Sequence, residues 1–234
     1  MTGETISRPF IRSPARPWSH RIATKLFRAC RRWQLGDNEG MLEQQHPVVI
    51  ASSQHNDDRA SPIKLVCVSD THNSKPELPE GDILVHAGDM SQYGTFDEIQ
   101  AQLSWLAAQT HKHKIVVAGN HDLLLDKAFV EAHPDRELDC HPGKRRADLN
   151  WGDIQYLQHS SVRVKVVSGT TSRVLHIFGS PWTPRMGSWA FQYEPNSSFT
   201  WKGAIPRDAD VIVVHGPPAE HLDDGGKGCK DLLF

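Results

Sequence analysis

Long hydrophobic runs are missing from this sequence. Nowhere do 18 or more apolar residues follow one another, and the start lacks the charged, then apolar, then small-residue order of a secretory leader. Membrane insertion and secretion are therefore not indicated, and the cytoplasm is the expected compartment. Cysteine is scarce. The four present, Cys30, Cys67, Cys140 and Cys229, are scattered and form no Cys-x-x-Cys pair. That pattern argues against a thiolate zinc site and a dense disulfide framework, and leaves reduced thiols as the expectation. Internal repeats and long low-complexity tracts are also absent.

What is present is an ordinary globular composition: 234 residues, 38% hydrophobic and 23% charged, enough for one main core. The net charge is only −2, yet residues 1–36 carry +7 and the remainder −9. The Arg-rich start, on which Ile22, Leu26, Phe27 and Cys30 could form one apolar helical face, has the character of a mitochondrial transit segment. A disordered basic extension is nevertheless the expectation for residues 1–36, with the transit segment as the alternative. Residues 37–62 read as a linker with one edge strand at Pro47-Val48-Val49-Ile50.

Regular punctuation begins at residue 63. Ile63–Val68 is a short β-branched run ending in Ser69-Asp70-Thr71-His72. The same grammar recurs in Ile83–Ala87 before Gly88-Asp89, in Lys114–Ala118 before Gly119-Asn120-His121-Asp122, and in Val211–Val214 before His215-Gly216-Pro217-Pro218. Each reads as a buried strand running into a polar loop. Thr95 and Glu98 form a capping-box pattern ahead of a helix over 96–109, whose Ile99, Leu103 and Leu106 share one face. A second helix is expected over 123–132, and a strand pair over 162–167 and 174–179. Strands alternating with helices predict a layered α/β domain over 63–234.

Polar residues delivered at the carboxyl ends of strands are the usual material of ligand sites in α/β sheets. Asp70 and His72, two apart, can face one cavity. Asp89 offers two carboxylate oxygens, which can bridge two cations. Asn120 adds a neutral amide oxygen and His215 a second imidazole. An oxygen and nitrogen set without thiolate suits Mn, Fe, Zn or a mixed pair. Two divalent metal ions about 3.5–4 Å apart would clamp a phosphoryl group and lower the pKa of a bridging water. His121, next to Asn120, is placed to protonate a leaving group or to hold the phosphate.

Each piece alone is weak: a strand-end Asp often caps a helix, and Gly-Asn-His-Asp can be a tight turn with an N-cap. In combination, Asp70-Thr71-His72, Gly88-Asp89, Gly119–Asp122 and His215–Pro218 resemble the successive signature blocks of the calcineurin-like metallophosphoesterase superfamily. Gly179–Pro184 and Trp189-Ala190-Phe191 resemble its small eukaryotic metallophosphoesterase-domain-containing branch. The resemblance implies a two-sheet sandwich flanked by helices. It also implies Asp70 and His72 on a first metal, Asp89 as bridge, Asn120 and His215 on a second, and His121 as acid or phosphate ligand. The implied activity is metal-dependent hydrolysis of small phosphate esters, nucleotides among them, by mono- or diesterase chemistry. Members normally continue to a Gly-His-x-His motif and further strands. No such motif follows His215 here, so the expectation is a domain lacking its last strands, with a catalytically defective binder as the alternative. His221 is a weak candidate substitute ligand.

Other residues carry blander expectations. His86 reads as a hydrogen-bonded structural histidine, and His111 and His113 as members of a solvated turn. Lys144-Arg145-Arg146 reads as a solvated loop able to steer anions. Trp182 and Trp189 fit either a nucleotide-sized pocket or core, with Arg185 between them as a phosphate contact.

Overall fold

The computed structural model describes residues 48–52, 62–168, 171–194, 201, 203–221, 223, 226 and 228–232. The basic segment 1–36 and most of the linker lie outside the described residues. One sheet holds five strands in chain order: β1 (Val48–Ser52), β2 (Lys64–Val68), β3 (Ile83–Ala87), β4 (His113–Val117) and β5 (Ile154–Tyr156). β1, which covers the expected edge segment, is antiparallel to β2, and β2 through β5 are parallel. Parallel neighbours need a crossover. Between β3 and β4 it is α1 (Phe96–Ala107), two residues shorter than expected. Its capping box forms: Glu98 N–H donates to Thr95 Oγ1 at 3.4 Å and Thr95 N–H to Glu98 Oε2 at 3.2 Å.

The expected second helix is split in two. Leu123–Leu125 form a 3-10 turn, and α2 (Lys127–Ala132) begins only after Asp126. Successive residues of an α-helix point about 100° apart, so three consecutive leucines cannot share one face. All three are buried here, and the tighter turn accommodates that. Asp126 then adopts an extended conformation and caps α2 through Ala128 and Phe129 N–H.

The second sheet is built on a long antiparallel hairpin, β6 (Ser160–Ser168) and β7 (Thr171–Ser180). Beyond it lie a small parallel pair, β8 (Thr183–Pro184) and β9 (Gln192–Tyr193), and then β10 (Val211–Val214). β10 joins β7 in parallel, with Val214 opposite Ser180. Of the four strands sharing one grammar, three therefore lie in the first sheet and one in the second. Alternation explains the layering. Leu65, Ile83, Val85, Ile115 and Val117 pack between the sheets against Val164, Val166, Ile177, Val211 and Val213. The opposite face of the first sheet, Val66, Val68, Leu84 and Val116, is covered by Ile99, Leu103, Leu106, Leu123–Leu125 and Phe129. The outer side of the second sheet carries Phe178 under Tyr193, Trp201, Cys229 and Leu232. Among the described residues no helix is long and apolar enough to cross a membrane.

His111 corrects an expectation. It is buried rather than solvated, only 3% exposed, with its Nε2 3.1 Å from the Pro79 carbonyl, while His113 opens β4 half-buried. The ring fills space behind the 79–82 turn, which the polar sequence around it concealed. Burial pushes the His111 imidazole below the usual histidine value, and the Lys114 charge adds to this. A base whose folded value is depressed is protonated first in the unfolded chain. Stability from His111 is therefore present above about pH 6.5 and is lost as pH falls below it. The acid-side loss of stability between pH 7 and 5, measured by urea unfolding, is expected to be smaller in His111→Gln than in the wild type. Equal losses would contradict the assignment.

Candidate metal centre

The carboxyl ends of β2, β3 and β4 meet that of β10 at one rim of the sandwich. The loop after β2 is zipped onto the loop after β3: Asp70 N–H donates to Gly88 O at 2.9 Å, His72 N–H to Asp89 O at 3.1 Å and Asn73 N–H to Met90 O at 2.9 Å. Beneath it, the buried His86 confirms its structural expectation. Its Nδ1 accepts from Gly88 N–H, so its Nε2–H faces Thr71 Oγ1 at 3.0 Å, and that hydroxyl donates to Met90 O. Asp70, His72, Asn73 and Asp89 all take positive φ, at 55°, 42°, 72° and 53°. Such backbone costs on the order of 1–3 kcal/mol per residue and persists where surrounding contacts enforce it, commonly at functional sites.

Asp89 lies at the centre. It is 4% exposed, with Oδ2 3.8 Å from His72 Nε2 and Oδ1 3.4 Å from His215 Nε2. The Asp89 Oδ1 also accepts His121 N–H at 2.8 Å. His215 Nδ1 faces the Ala87 carbonyl at 3.0 Å, which makes it the donor and turns Nε2 toward Asp89 and toward Asn120 Oδ1 at 3.0 Å. Ligand atoms of His72, Asp89 and His121 lie within 4.8 Å of one another, as do those of Asp70, Asp89 and His215. Burial alone would raise the Asp89 carboxyl, but the facing His215 holds it below the usual carboxylate range. Burial likewise opposes charge on His215, and Asp89 outweighs it, pushing His215 up to about 9. The two groups thus hold each other in their charged forms, a carboxylate facing an imidazolium. His72 turns Nε2 toward Asp89 and leaves Nδ1 buried without a hydrogen-bond partner among the described residues.

Five of the expected ligands, Asp70, His72, Asp89, Asn120 and His215, thus converge with His121 on one rim. By proximity, Asp70 and Asp89 group with His215, and His72 and Asp89 with His121. His121 Nδ1 lies 2.8 Å from the Gln92 carbonyl, its ring edge-on to His72 at 4.7 Å and stacked on Trp189 at 4.1 Å. Trp182 packs T-shaped on Phe191 against the core. Arg185 pairs with Glu194 at 2.6 Å on the surface, Lys144 pairs with Asp97, and His221 is exposed.

Sequence reasoning missed two carboxylates. Asp122, fully buried, is a cross-link between loops rather than an N-cap: its oxygens accept from Ser91 N–H (2.9 Å), Ser91 Oγ (2.7 Å), Met90 N–H (3.3 Å) and Gly119 N–H (2.7 Å). Burial, then the neighbouring Asp89 charge, raises its pKa. Asp126 caps α2 with one oxygen and accepts Phe191 N–H with the other at 2.7 Å. Asp126 fell inside the helix expected over 123–132, which hid its cap role, and its tie to a loop 65 residues away had no local signature.

Two glycines set how closely these loops approach. A β-carbon on Gly119 would stand 2.1 Å from Asp89 Oδ1, and one on Gly88, whose φ is +108°, 2.4 Å from His215 Nδ1. Gly119→Ala must therefore displace Asp89. In folded Gly119→Ala protein, checked by circular dichroism, Mn²⁺ affinity by calorimetry is expected to fall about 10–100-fold. Unchanged affinity would show that Asp89 does not hold the cation.

Comparison with known proteins agrees with the geometry. The calcineurin-like phosphoesterase pattern matches residues 63–233. Metallophosphoesterase domain-containing protein 1 of Homo sapiens is 31% identical over 208 residues, covering 84% of this chain and 63% of that protein. A UPF0046 protein of Caenorhabditis elegans is 34% identical over 190 residues, 73% of this chain and 58% of its own length. A probable rhamnogalacturonate lyase C of Emericella nidulans is 45% identical over 170 residues, 73% of this chain but 15% of that protein. The chain thus spans less than two thirds of each of these relatives. With the family pattern matched over most of the chain and its signature loops gathered at one rim, the chain belongs to the calcineurin-like phosphoesterase family, in the branch shared with metallophosphoesterase domain-containing protein 1 and the UPF0046 proteins.

Proposed function

We propose that this rim is a two-metal phosphoesterase centre hydrolysing a small phosphate ester of nucleotide size. One observation carries the reading: the two oxygens of Asp89 face different imidazoles, His72 and His215, so that a single carboxylate belongs to both donor groups. Asp70, His72, Asp89, Asn120 and His215 are the proposed ligands. Their oxygen and nitrogen chemistry suits Mn, Fe or Zn. When bound, a pair of divalent cations supplies charge neutralisation for phosphoryl oxygens and acidification of water.

The chain's own residues supply the rest. His121 directs its Nδ1–H to the Gln92 carbonyl, which leaves Nε2 as the ring nitrogen available to substrate. Protonated there, it can donate to the departing ester oxygen, or hold a phosphoryl oxygen before departure. Asp122 fixes the spacing of the 88–91 and 119–122 loops through bonds shielded from water, so the donors are set before substrate arrives.

The test uses the full chain with Mn²⁺ and chromogenic phosphate mono- and diesters. His121→Ala is expected to lower kcat by about 10²–10⁴ with metal content unchanged. Asp89→Ala is expected to lose both metal and turnover. Equal turnover in the wild type and both variants would overturn the reading, and metal binding without wild-type turnover would reduce the protein to a binding relative.

A further inference from the structure

Trp189 is the most exposed tryptophan among the described residues, at 36%, yet it is not a loose surface ring. Its indole lies against the His121 imidazole with ring centroids 4.1 Å apart and planes 25° from parallel. Three contacts then bear on His121. Gln92 O fixes its Nδ1 edge at 2.8 Å, His72 meets it edge-on at 4.7 Å, and Trp189 covers a face. A hydrogen bond through one ring nitrogen leaves the imidazole free to rock about the bond axis, because the terminal torsion of a histidine is broad. A flat aromatic wall removes that freedom and adds stacking attraction.

The wall is itself anchored. Ala190 N–H donates to Asn120 O at 3.1 Å, and Phe191 N–H donates to the buried Asp126 Oδ2 at 2.7 Å. Thr183 N–H donates to Phe191 O at 2.9 Å, Ala190 and Phe191 are fully buried, and Phe191 takes a positive φ of 53°. The backbone on the C-terminal side of Trp189 is thus tied to the same 119–126 segment that carries His121. The stack is therefore built from both sides rather than left to a flexible loop.

From this geometry we propose that Trp189 is a positioning residue for His121: the Asp126-anchored loop presents its indole so that the imidazole keeps its place beside the His72 and Asp89 donors. The inference rests on the hydrolytic reading of His121 for its kinetic consequence, but the positioning itself is a property of the protein without metal or substrate.

Two measurements keep the two ideas apart. In metal-free full-length protein, the His121 ring resonances, assigned by their loss in His121→Ala, are expected to be shifted upfield by the indole face. Trp189→Leu should remove that shift and broaden or average the resonances, while Trp189→Phe should retain much of it. In the Mn²⁺-loaded protein, Trp189→Leu is expected to lower kcat by up to about 10²-fold, the scale for misplacing a reacting group. KM and metal content should stay close to wild type, and Trp189→Phe should recover most of the loss. In a His121→Ala background, Trp189→Leu should cost nothing further. His121 resonances that do not change in Trp189→Leu would overturn the proposal, whatever the activity. So would a loss confined to KM, or a loss of equal size with His121 absent. If the wild type lacks turnover while the resonance changes appear, the hydrolytic reading fails and the positioning stands.

Discussion

The geometry of the rim turns on the Asp89 carboxylate, shared between two imidazoles at the point where the sheets meet. Its backbone is held at positive φ, Gly119 leaves room for its oxygens, and His121 N–H fixes one of them. Against His215 it forms a buried charge pair that lowers its own pKa and raises that of the histidine. A buried pair of this kind contributes little net stability, because desolvation offsets most of the attraction.

Around that carboxylate the fold acts as a clamp. Three parallel strands of one sheet and one strand of the other end at this rim; the loop after β2 is secured to the loop after β3 by backbone bonds, and β10 is tied to the end of β3 through the His215 side chain. Two further buried carboxylates bind the loops from behind: Asp122 joins the 88–91 and 119–122 turns, and Asp126 joins the start of α2 to the 189–191 segment. Charge carried on short, inflexible aspartates lets a few side chains tie down many loop N–H groups. Asp70 and His72, at the outside of the rim, stay partly open to solvent.

Much of this was legible in the sequence because strand-end loops combine a strong local signal with a functional one. Abrupt changes from β-branched runs to Asp, Asn and His marked β2, β3, β4 and β10, and the six candidate residues on those loops do converge. The parts that stayed hidden depend on contacts with no local pattern. Leu123–Leu125 looked helical, but burial on every side favoured a tighter turn. His111 looked solvated among lysines, yet it packs under the 79–82 turn. Trp189 sat in a segment without periodicity, so its stack on His121 could not be read from spacing. The resemblance implied two sheets, but nothing in the Val211–Val214 residues told which of them that strand would join.

The central claim is that one carboxylate serves two cations, and electron paramagnetic resonance of the Mn²⁺-loaded protein tests it most directly. Ions about 3.5–4 Å apart and bridged through Asp89 should give an exchange-coupled dinuclear spectrum. A spectrum of isolated Mn²⁺ ions at full occupancy, with no coupled component, would contradict the account.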